Sequence, residues 1–226
     1  RDTLLQLGAM RQHHFMLAAC CLFPLSAISQ ETIDLHAAVK QGNVEVVGRQ
    51  LTLVEEPDYP GIQLSTDYGE GLAWLKGVDF SDGVIEFDVR GVNVEGHSFV
   101  GIAFHAANDS TFDAIYLRPF QFKKTDATAH SHSIQYISLP KHTWRMLRAA
   151  SPGVYEQAID PPPDPNGWVH MRVEVTGESI SCFINFAKEP SLVVKKVTNL
   201  HTGRVGFYVA DTSGGEFANI TVAHVK

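Results

Sequence analysis

Three polar side chains that could perform chemistry lie in one short stretch of the chain, Gly101 to Phe120. His105 ends the first of two alternating apolar runs, and Tyr116 and Arg118 lie in the second. An imidazole titrates near neutral pH and can act as a general base. A guanidinium offers a rigid fork of donors to hydroxyls or carboxylates, and a tyrosine offers a flat ring with a hydroxyl. If the two runs pair as strands, these residues predict a ligand site. The alternative is a solvated face with an Arg–Tyr stack.

The alternation along the two runs predicts which side chains could meet, because successive side chains of a strand point to opposite faces. The residues predicted to face the core are Val100, Ile102, Phe104, Ile115 and Leu117. His105, Tyr116 and Arg118 then share the outward face. The small residues on that face are Gly101, Ala103 and Ala114, and they predict a depression that could hold a ligand. A shift of one residue in register would reverse every assignment.

Two carboxylates, Glu86 and Asp88, share one face of the run Val84–Arg90. Their Cα atoms are expected about 6.6 Å apart, from a rise of about 3.3 Å per residue. Side-chain tilt could bring the carboxyl groups to the separation found in retaining or inverting glycosidases. A solvated strand face with Arg90 as the counter-charge is the alternative.

Three further positions are candidates for binding. Gln135 and Tyr136 are neighbours in a strand-like run, so at most one of them joins the site, and Gln135 is the candidate. Trp144 is a candidate platform for a sugar ring, with burial in the core as the alternative. His130 and His132 could help to hold a transition metal, but no third ligand has diagnostic spacing, so the metal is left unassigned.

The composition narrows the classes of function. The chain has 226 residues and a formal net charge of −7, with no basic run. Nucleic acid and anionic membrane surfaces are therefore not the expected partners. Beyond the N-terminus no segment approaches the ~20 apolar residues of a spanning helix. Cys182 lies in an apolar run and is expected to be a buried hydrophobe without a disulfide partner.

The N-terminal segment is typical of a secretory signal peptide. A short polar and basic opening at Met10 precedes the mostly apolar stretch Phe15–Ile28, and Ala27-Ile28-Ser29 resembles a cleavage site. Leu17–Cys20 also resembles a lipoprotein processing site, but only two apolar residues precede it. We expect a secreted or periplasmic protein in which residues 1–29 are removed and residues 30–226 form a single domain.

The remainder of the chain is dominated by short alternating runs separated by Gly, Pro, Asn and Asp. More than ten such runs, from Val44–Val47 to Glu216–Val222, predict an all-β, antiparallel two-sheet sandwich or jelly roll. Trp144–Leu147 is counted among the strands. Only Asp34–Gln41 is expected to form a short helix.

Several of these runs resemble the secreted bacterial 3-keto-disaccharide hydrolase domains of the concanavalin A-like (laminin G-like) jelly-roll superfamily. The segments that carry the resemblance are Phe80–Asp88, Ser98–Phe104, Tyr116–Pro119, Gln135–Tyr136, Trp168–Val173 and Gly203–Tyr208. The resemblance covers about residues 40 to 225 and implies a concanavalin A-like sandwich that acts on carbohydrate at its concave sheet. Relatives often have a histidine after the Leu-Arg-Pro motif, where this chain has Phe120.

The resemblance implies a glycoside hydrolase of the 3-keto-disaccharide type, in which the ketone acidifies a neighbouring C–H for a general base. His105, Glu86 and Asp88 are then the candidate catalytic residues. Tyr116, Arg118, Gln135 and Trp144 would bind the oligosaccharide or disaccharide. A non-catalytic, lectin-like glycan-binding module and a laminin G-like protein-interaction domain are the alternatives, and turnover is left open.

The resemblance also allows a structural Ca²⁺ on loop carboxylates such as Asp79, Asp82 or Asp211. No other cofactor is expected.

Overall fold

The structure is a computed structural model and describes residues 29–225. The predicted signal peptide, apart from Ser29, and the lipoprotein-like site lie outside these residues. The strands are β1 (Ser29–Thr32), β2 (Val44–Val47), β3 (Leu51–Glu56), β4 (Tyr59–Leu64), β5 (Gly71–Phe80), β6 (Gly83–Arg90), β7 (Val100–Asn108), β8 (Thr111–Leu117), β9 (Ile134–Leu139), β10 (Glu156–Gln157), β11 (Val169–Thr176), β12 (Ser179–Ile184), β13 (Leu192–Lys195), β14 (Gly203–Val209) and β15 (Gly215–His224). The helices are α1 (Leu35–Lys40), α2 (Ala127–His130) and α3 (Trp144–Ala150), and one 3₁₀ turn spans Pro119–Gln121.

The strands form two sheets. An eight-stranded sheet has the order β13-β12-β11-β6-β15-β4-β3, with β1 paired to β15, and a seven-stranded sheet has the order β10-β9-β8-β7-β14-β5-β2. Every strand pairing within residues 29–225 is antiparallel. The predicted all-β, two-sheet antiparallel sandwich is therefore confirmed.

One face of each sheet builds the core between them. In β6 the fully or nearly buried Ile85, Phe87 and Val89 alternate with half-buried polar residues, as a period of two predicts. Phe87 meets Phe207 of the other sheet with ring centroids 6.0 Å apart. Because Phe207 faces the core, the next residue in β14, Tyr208, faces outward.

Strand register carries this assignment across the seven-stranded sheet. Tyr208 lies opposite Gly101 in β7, Gly101 opposite Tyr116 in β8, and Tyr116 opposite Gln135 in β9. Residues directly opposite each other in a sheet point to the same face. Tyr116 and Gln135 therefore point outward, as their alternation predicts, and Tyr136 points into the core.

One predicted helix is confirmed, and one run that was predicted to be a strand is a helix instead. The expected helix at Asp34–Gln41 is α1, and the Asp34 side chain caps it by accepting from the Ala37 N–H at 2.9 Å. The run Trp144–Leu147, expected to be a strand, is instead the first turn of α3. Thr143 provides its cap.

The remaining predictions from composition concern membranes and cysteine. No helix within residues 29–225 is long and apolar enough to cross a lipid bilayer. Cys182 is fully buried in β12 without a disulfide, as expected, and burial raises the pKa of its thiol far above the ordinary value. A buried, protonated thiol is a poor nucleophile, so Cys182 has a packing role.

Candidate functional site

A cavity of about 390 Å³ lies on the outward face of the seven-stranded sheet, beside the first turn of α3. We call it the Trp144 cavity. It is lined by the rings of Phe99, Tyr116, Trp144 and Tyr208 and by a few polar side chains. A smaller cavity of about 190 Å³, here called the side cavity, shares Phe99 and Trp144 with it. Aromatic walls with a few convergent polar groups are typical of small-molecule sites.

Arg118 is the centre of the hydrogen-bond network at these cavities. Its Nη2 donates to the Tyr116 hydroxyl at 2.9 Å and to Gln135 Oε1 at 3.2 Å, and its Nη1 donates to the His132 carbonyl at 2.9 Å. The structure thus brings together three of the four predicted binding residues. Only 4% of Arg118 is exposed, so the guanidinium is held in one orientation.

Gln135 holds Arg118 in place and does not line either cavity. It is fully buried, and its Nε2 donates to the carbonyls of Tyr136 at 2.8 Å and Tyr155 at 2.9 Å. Its oxygen accepts from Arg118. All of its polar atoms are therefore used within the protein, which makes Gln135 a positioning residue in this site.

Tyr116 supplies a neutral hydroxyl. Burial raises its pKa to about 12, although the nearby Arg118 charge opposes that rise. The hydroxyl accepts from Arg118, and no described residue accepts its proton. Tyr116 can therefore still donate one hydrogen bond.

Trp144, the fourth predicted binding residue, stands between the two cavities with 37% of its surface exposed. Three guanidinium carbons lie within 6 Å of its ring centroid: Arg118 at 5.9 Å, Arg145 at 4.9 Å and Arg148 at 4.7 Å. Arg145 is exposed and has no carboxylate within 4 Å among residues 29–225. It is the available cation at the cavity wall.

The buried carboxylate Glu156 partly neutralises this group of arginines. It is 3% exposed and accepts from Arg148 at 2.7 and 2.5 Å, with Arg118 Nη1 3.8 Å away. His132 Nδ1 lies 3.0 Å from Glu156 Oε2, but without the angles of a hydrogen bond. Desolvation lowers the pKa of His132, against the opposing effect of the Glu156 carboxylate, and Arg148 and Arg118 lower it further.

The opposite end of the Trp144 cavity is acidic. Tyr208 donates a hydrogen bond to Glu70 Oε2, and Asp211 lies nearby and accepts from the Gly69 N–H at 2.8 Å. Glu70 as a whole residue is exposed, but its carboxyl lies against the buried Tyr208 hydroxyl. Burial raises the pKa of this carboxyl above its ordinary value, against the effects of Tyr208 and Arg49.

His105 does not join this site, and its predicted outward orientation is wrong. β7 contains a bulge between Phe104 and Asn108, and His105 has a φ of 52°. An extra residue in a strand reverses the alternation that follows it. The ring is fully buried, with Nδ1 3.0 Å from Asp113 Oδ2 and Nε2 2.9 Å from the Ser81 carbonyl.

Glu86 and Asp88 do share a face, but it is the outward face of the eight-stranded sheet, on the far side of the sandwich from the cavities. His170 bridges them, with Nδ1 2.9 Å from Asp88 and Nε2 3.7 Å from Glu86. The Phe186 ring stacks on the imidazole at 4.0 Å. Asn219 Nδ2 donates to the other oxygen of Asp88 at 2.7 Å. The space between the carboxylates therefore contains a histidine.

The predicted metal ligands do not come together in one site within the described residues. Among residues 29–225 no group of three or more His, Cys, Asp and Glu side chains is arranged to hold a metal ion. In the strand register Asp79 of β5 lies opposite Arg204, near the start of β14, whereas Asp211 follows the end of β14. The two carboxylates therefore cannot share one calcium. His130 and His132 turn to different partners, the Ile159 carbonyl and Glu156.

The small-residue depression predicted at Gly101, Ala103 and Ala114 is not where the cavity lies. These residues are fully buried and do not line it. A Cβ on Gly101 would lie 2.0 Å from the Ile115 carbonyl, so glycine is required there by the close approach of β8.

Another surface cavity, of about 320 Å³, lies beside β4, β6 and β15 and has no aromatic ring in its lining. Its charged groups, Arg90 and Glu216, are bonded to each other. It lacks the ring surface and the available charge of the Trp144 cavity.

Several residues of the site were missed from the sequence. Arg145 and Arg148 follow Trp144 at helical spacing, and recognition of Thr143 as a helix cap would have placed all three on one helix. Glu70, Tyr208 and Glu156 are brought to the site by long-range strand pairing, for which the local sequence contains no signal.

No protein-family model matches this chain. No curated protein matches it either. Solved structures do match. The carbohydrate-binding module CBM66 from Bacillus subtilis is similar with a TM-score of 0.59 and 14% identity, over 80% of this chain and 95% of that one.

Two further similar structures have different descriptions. A native glycosidic hydrolase has a TM-score of 0.54 and 9% identity, over 88% of this chain and 96% of that one. The VIP36 exoplasmic/lumenal domain in its Ca²⁺/Man-bound form has a TM-score of 0.52 and 11% identity, over 81% and 83%. At such identities the similarity shows the fold alone, a two-sheet sandwich of the jelly-roll class.

Proposed function

We propose that this chain binds carbohydrate in the Trp144 cavity. The observation that carries the proposal is the half-exposed Trp144 ring at a cavity of about 390 Å³, with the Tyr116 hydroxyl and the Arg145 guanidinium in the same lining. An aromatic ring can stack on the apolar face of a pyranose, while hydroxyl and guanidinium groups bond its hydroxyls. The similar structures include a carbohydrate-binding module and a mannose-bound domain, which supports the same class of ligand.

The test is calorimetric titration of the purified protein with a panel of neutral and acidic oligosaccharides. Trp144→Ala should weaken binding by about ten-fold or more, since a stacked aromatic at the centre of a site contributes strongly. Phe186→Ala is the matched control, because that ring is 80% exposed on the opposite face of the sandwich. Equal losses in the two variants, or none, would reject this location for the site.

Hydrolysis is the second proposed function, of the 3-keto-disaccharide type that the sequence resemblance implies. The observation that favours it is Glu70, which lines the cavity and whose carboxyl pKa is raised by burial, the direction that a proton donor needs. Glu70 lines the cavity, whereas His105 is buried and Glu86 and Asp88 lie on the other sheet. Those three are the catalytic residues predicted from the sequence, whereas this proposal gives the catalytic role to Glu70, which shares the cavity with Trp144.

Incubation with disaccharides and their 3-keto derivatives, followed by mass spectrometry, tests this second function. Glu70→Gln should abolish turnover and retain binding, because the amide cannot donate an acidic proton. Glu86→Gln and Asp88→Asn should leave turnover unchanged. Binding without product identifies a glycan-binding module, and absence of both leaves the laminin G-like protein-interaction hypothesis.

Export and calcium belong to the same proposal. We propose that residues 1–29 are removed and that residues 30–226 act as one domain outside the cytoplasm, which N-terminal sequencing of the expressed protein would test. The VIP36 domain binds Ca²⁺ in its Ca²⁺/Man-bound form, and a structural calcium ion in this chain predicts a fall in melting temperature on chelation. An unchanged melting temperature would reject it.

A further inference from the structure

We infer that the ligand of the Trp144 cavity is an acidic sugar, with its negative group at Arg145 and its hydroxyls toward Glu70. This inference rests on the proposed carbohydrate binding and specifies the class of sugar. It is carried by the charges around Trp144, by the availability of Arg145, and by a buried amide oxygen that has no partner among the described residues.

The charge around Trp144 is opposite in sign to that of the whole chain. Arg118, Arg145 and Arg148 lie within 6 Å of its ring centroid, and within residues 29–225 Glu156 is the one carboxylate that contacts this group. The group therefore carries an excess of positive charge in a protein whose formal net charge is −7. A neutral sugar does not need such a concentration of guanidinium groups, whereas an anion is attracted by it.

The three arginines differ in their availability. Arg118 and Arg148 are committed to buried partners, Arg118 to Tyr116 and Gln135 and Arg148 to Glu156. Arg145 lines the Trp144 cavity, is exposed, and has no carboxylate partner among the described residues. Its planar fork matches a carboxylate or sulfate in two parallel hydrogen bonds.

The side cavity supplies an independent indication of a ligand. The buried side-chain oxygen Gln121 Oε1 has no hydrogen-bond partner among residues 29–225, and Gln121 lines this cavity. Gln121 is only 9% exposed, so an unsatisfied carbonyl there is costly. A hydroxyl group of a sugar could donate to this oxygen and satisfy it.

The acidic end of the Trp144 cavity sets the direction of the ligand. Glu70 and Asp211 line that end and would repel a carboxylate, but they accept hydrogen bonds from sugar hydroxyls. A ligand with one anionic group and several hydroxyls is thus complementary to both ends when the anion lies beside Arg145.

The experiment compares acidic oligosaccharides with their neutral forms on the full protein. The probes are oligomers of galacturonate, glucuronate and mannuronate, each beside its carboxyl methyl ester, together with a sulfated galactose oligomer. Methyl esterification removes the charge and keeps the sugar. At least one free acid should bind about ten-fold more tightly than its ester, the size of effect expected for a charge-assisted pair. A preference for the sulfated oligomer alone identifies sulfate as the anionic group.

Arg145→Gln should remove most of the preference for the acid over its ester, because the amide carries no positive charge to pair with the anionic group. Arg172→Gln is the matched control, since that arginine lies over Phe183 on the other sheet. Equal affinity for each acid and its ester with no tighter binding of the sulfated oligomer, or equal effects of the two substitutions, would overturn the acidic-sugar inference while carbohydrate binding stands. Failure of every probe, neutral or acidic, would reject the proposed function itself.

Discussion

The two ends of β8 carry similar side chains and use them differently. At one end, His105, Asp113 and Tyr136 are fully buried and bond one another and a backbone carbonyl. At the other, Tyr116 and Arg118 form an equally regular network, but it lies beside two cavities. There, the neighbouring Gln121 Oε1 has no partner among the described residues. A network whose bonds are all internal stabilises the fold. A network with unused donors and acceptors can also bind a ligand.

The largest expected effect on stability is at the His105–Asp113–Tyr136 end of β8, here called the closed end. Asp113→Ala leaves the Tyr136 hydroxyl and the His105 ring without their partner in a fully dry environment. We expect the free energy of unfolding to fall by about 3–5 kcal/mol, the range for breaking a buried polar pair. Urea denaturation measures it, with Asp113→Asn as the milder control. Sugar binding by the remaining folded protein should be unchanged, and a loss under about 1 kcal/mol would contradict the structural role of this network.

The Tyr116–Arg118 end of β8, here called the open end, should lose both stability and ligand affinity when its network is disturbed. Glu156→Gln removes the charge that Arg148 contacts at 2.7 and 2.5 Å and leaves two guanidinium groups near a buried amide. We expect a loss of about 2–3 kcal/mol, because hydrogen bonds to charged groups are the stronger ones. Displacement of Arg118 should also alter ligand affinity. If affinity is unchanged while stability falls, the two ends of β8 are alike and the comparison fails.

The sequence predicts the outward face of the open end and misses the closed end for one physical reason. Alternation from Val100 to Phe104 and along β8 is regular, so Tyr116 and Arg118 are assigned correctly. The bulge after Phe104 adds a residue to β7 and turns His105 into the core. A bulge without glycine has little local signature. Asp113, near the start of β8, is the partner of the turned histidine.

The fold was more predictable than the site because strand pattern is local and site assembly is not. Period-two runs in β6 and β11 suffice to indicate a sandwich. Glu156 reaches Arg118 because β10 pairs with β9, and Tyr208 reaches Tyr116 through β7. Such distant pairings leave no mark in a short window. The exception is α3, where Thr143, Trp144 and Arg148 have helical cap and spacing signals that outweigh the strand-like composition.

A smaller effect is expected from Glu70, at the acidic end of the open site. Burial raises the pKa of its carboxyl in the folded protein above the ordinary 4.5. Between these two pKa values the folded state binds more protons than the unfolded state, so the free energy of unfolding falls as pH rises through that interval. Glu70→Gln should remove this fall, which thermal unfolding across pH 4 to 8 would detect.

The matched control for Glu70 is Glu178→Gln. Lys195 lowers the pKa of the Glu178 carboxyl, so its contribution has the opposite sign and is lost as pH falls. If Glu70→Gln and the wild-type protein show the same pH dependence, the Glu70 carboxyl is hydrated like any surface acid, and its proposed role as a proton donor loses its basis.

The smallest effects are expected at Asp88, on the eight-stranded sheet. His170 and Asn219 already bond both of its oxygens, and 14% of its side chain is exposed. Asp88→Asn keeps an oxygen acceptor, so a stability loss under about 1 kcal/mol is expected, as for partly exposed hydrogen bonds. Ligand affinity and any turnover should equal those of the wild type. If turnover instead disappears in Asp88→Asn and persists in Glu70→Gln, catalysis belongs to the Glu86/Asp88 face. The sandwich would then bind on one sheet and react on the other, and the Trp144 cavity would be an accessory site.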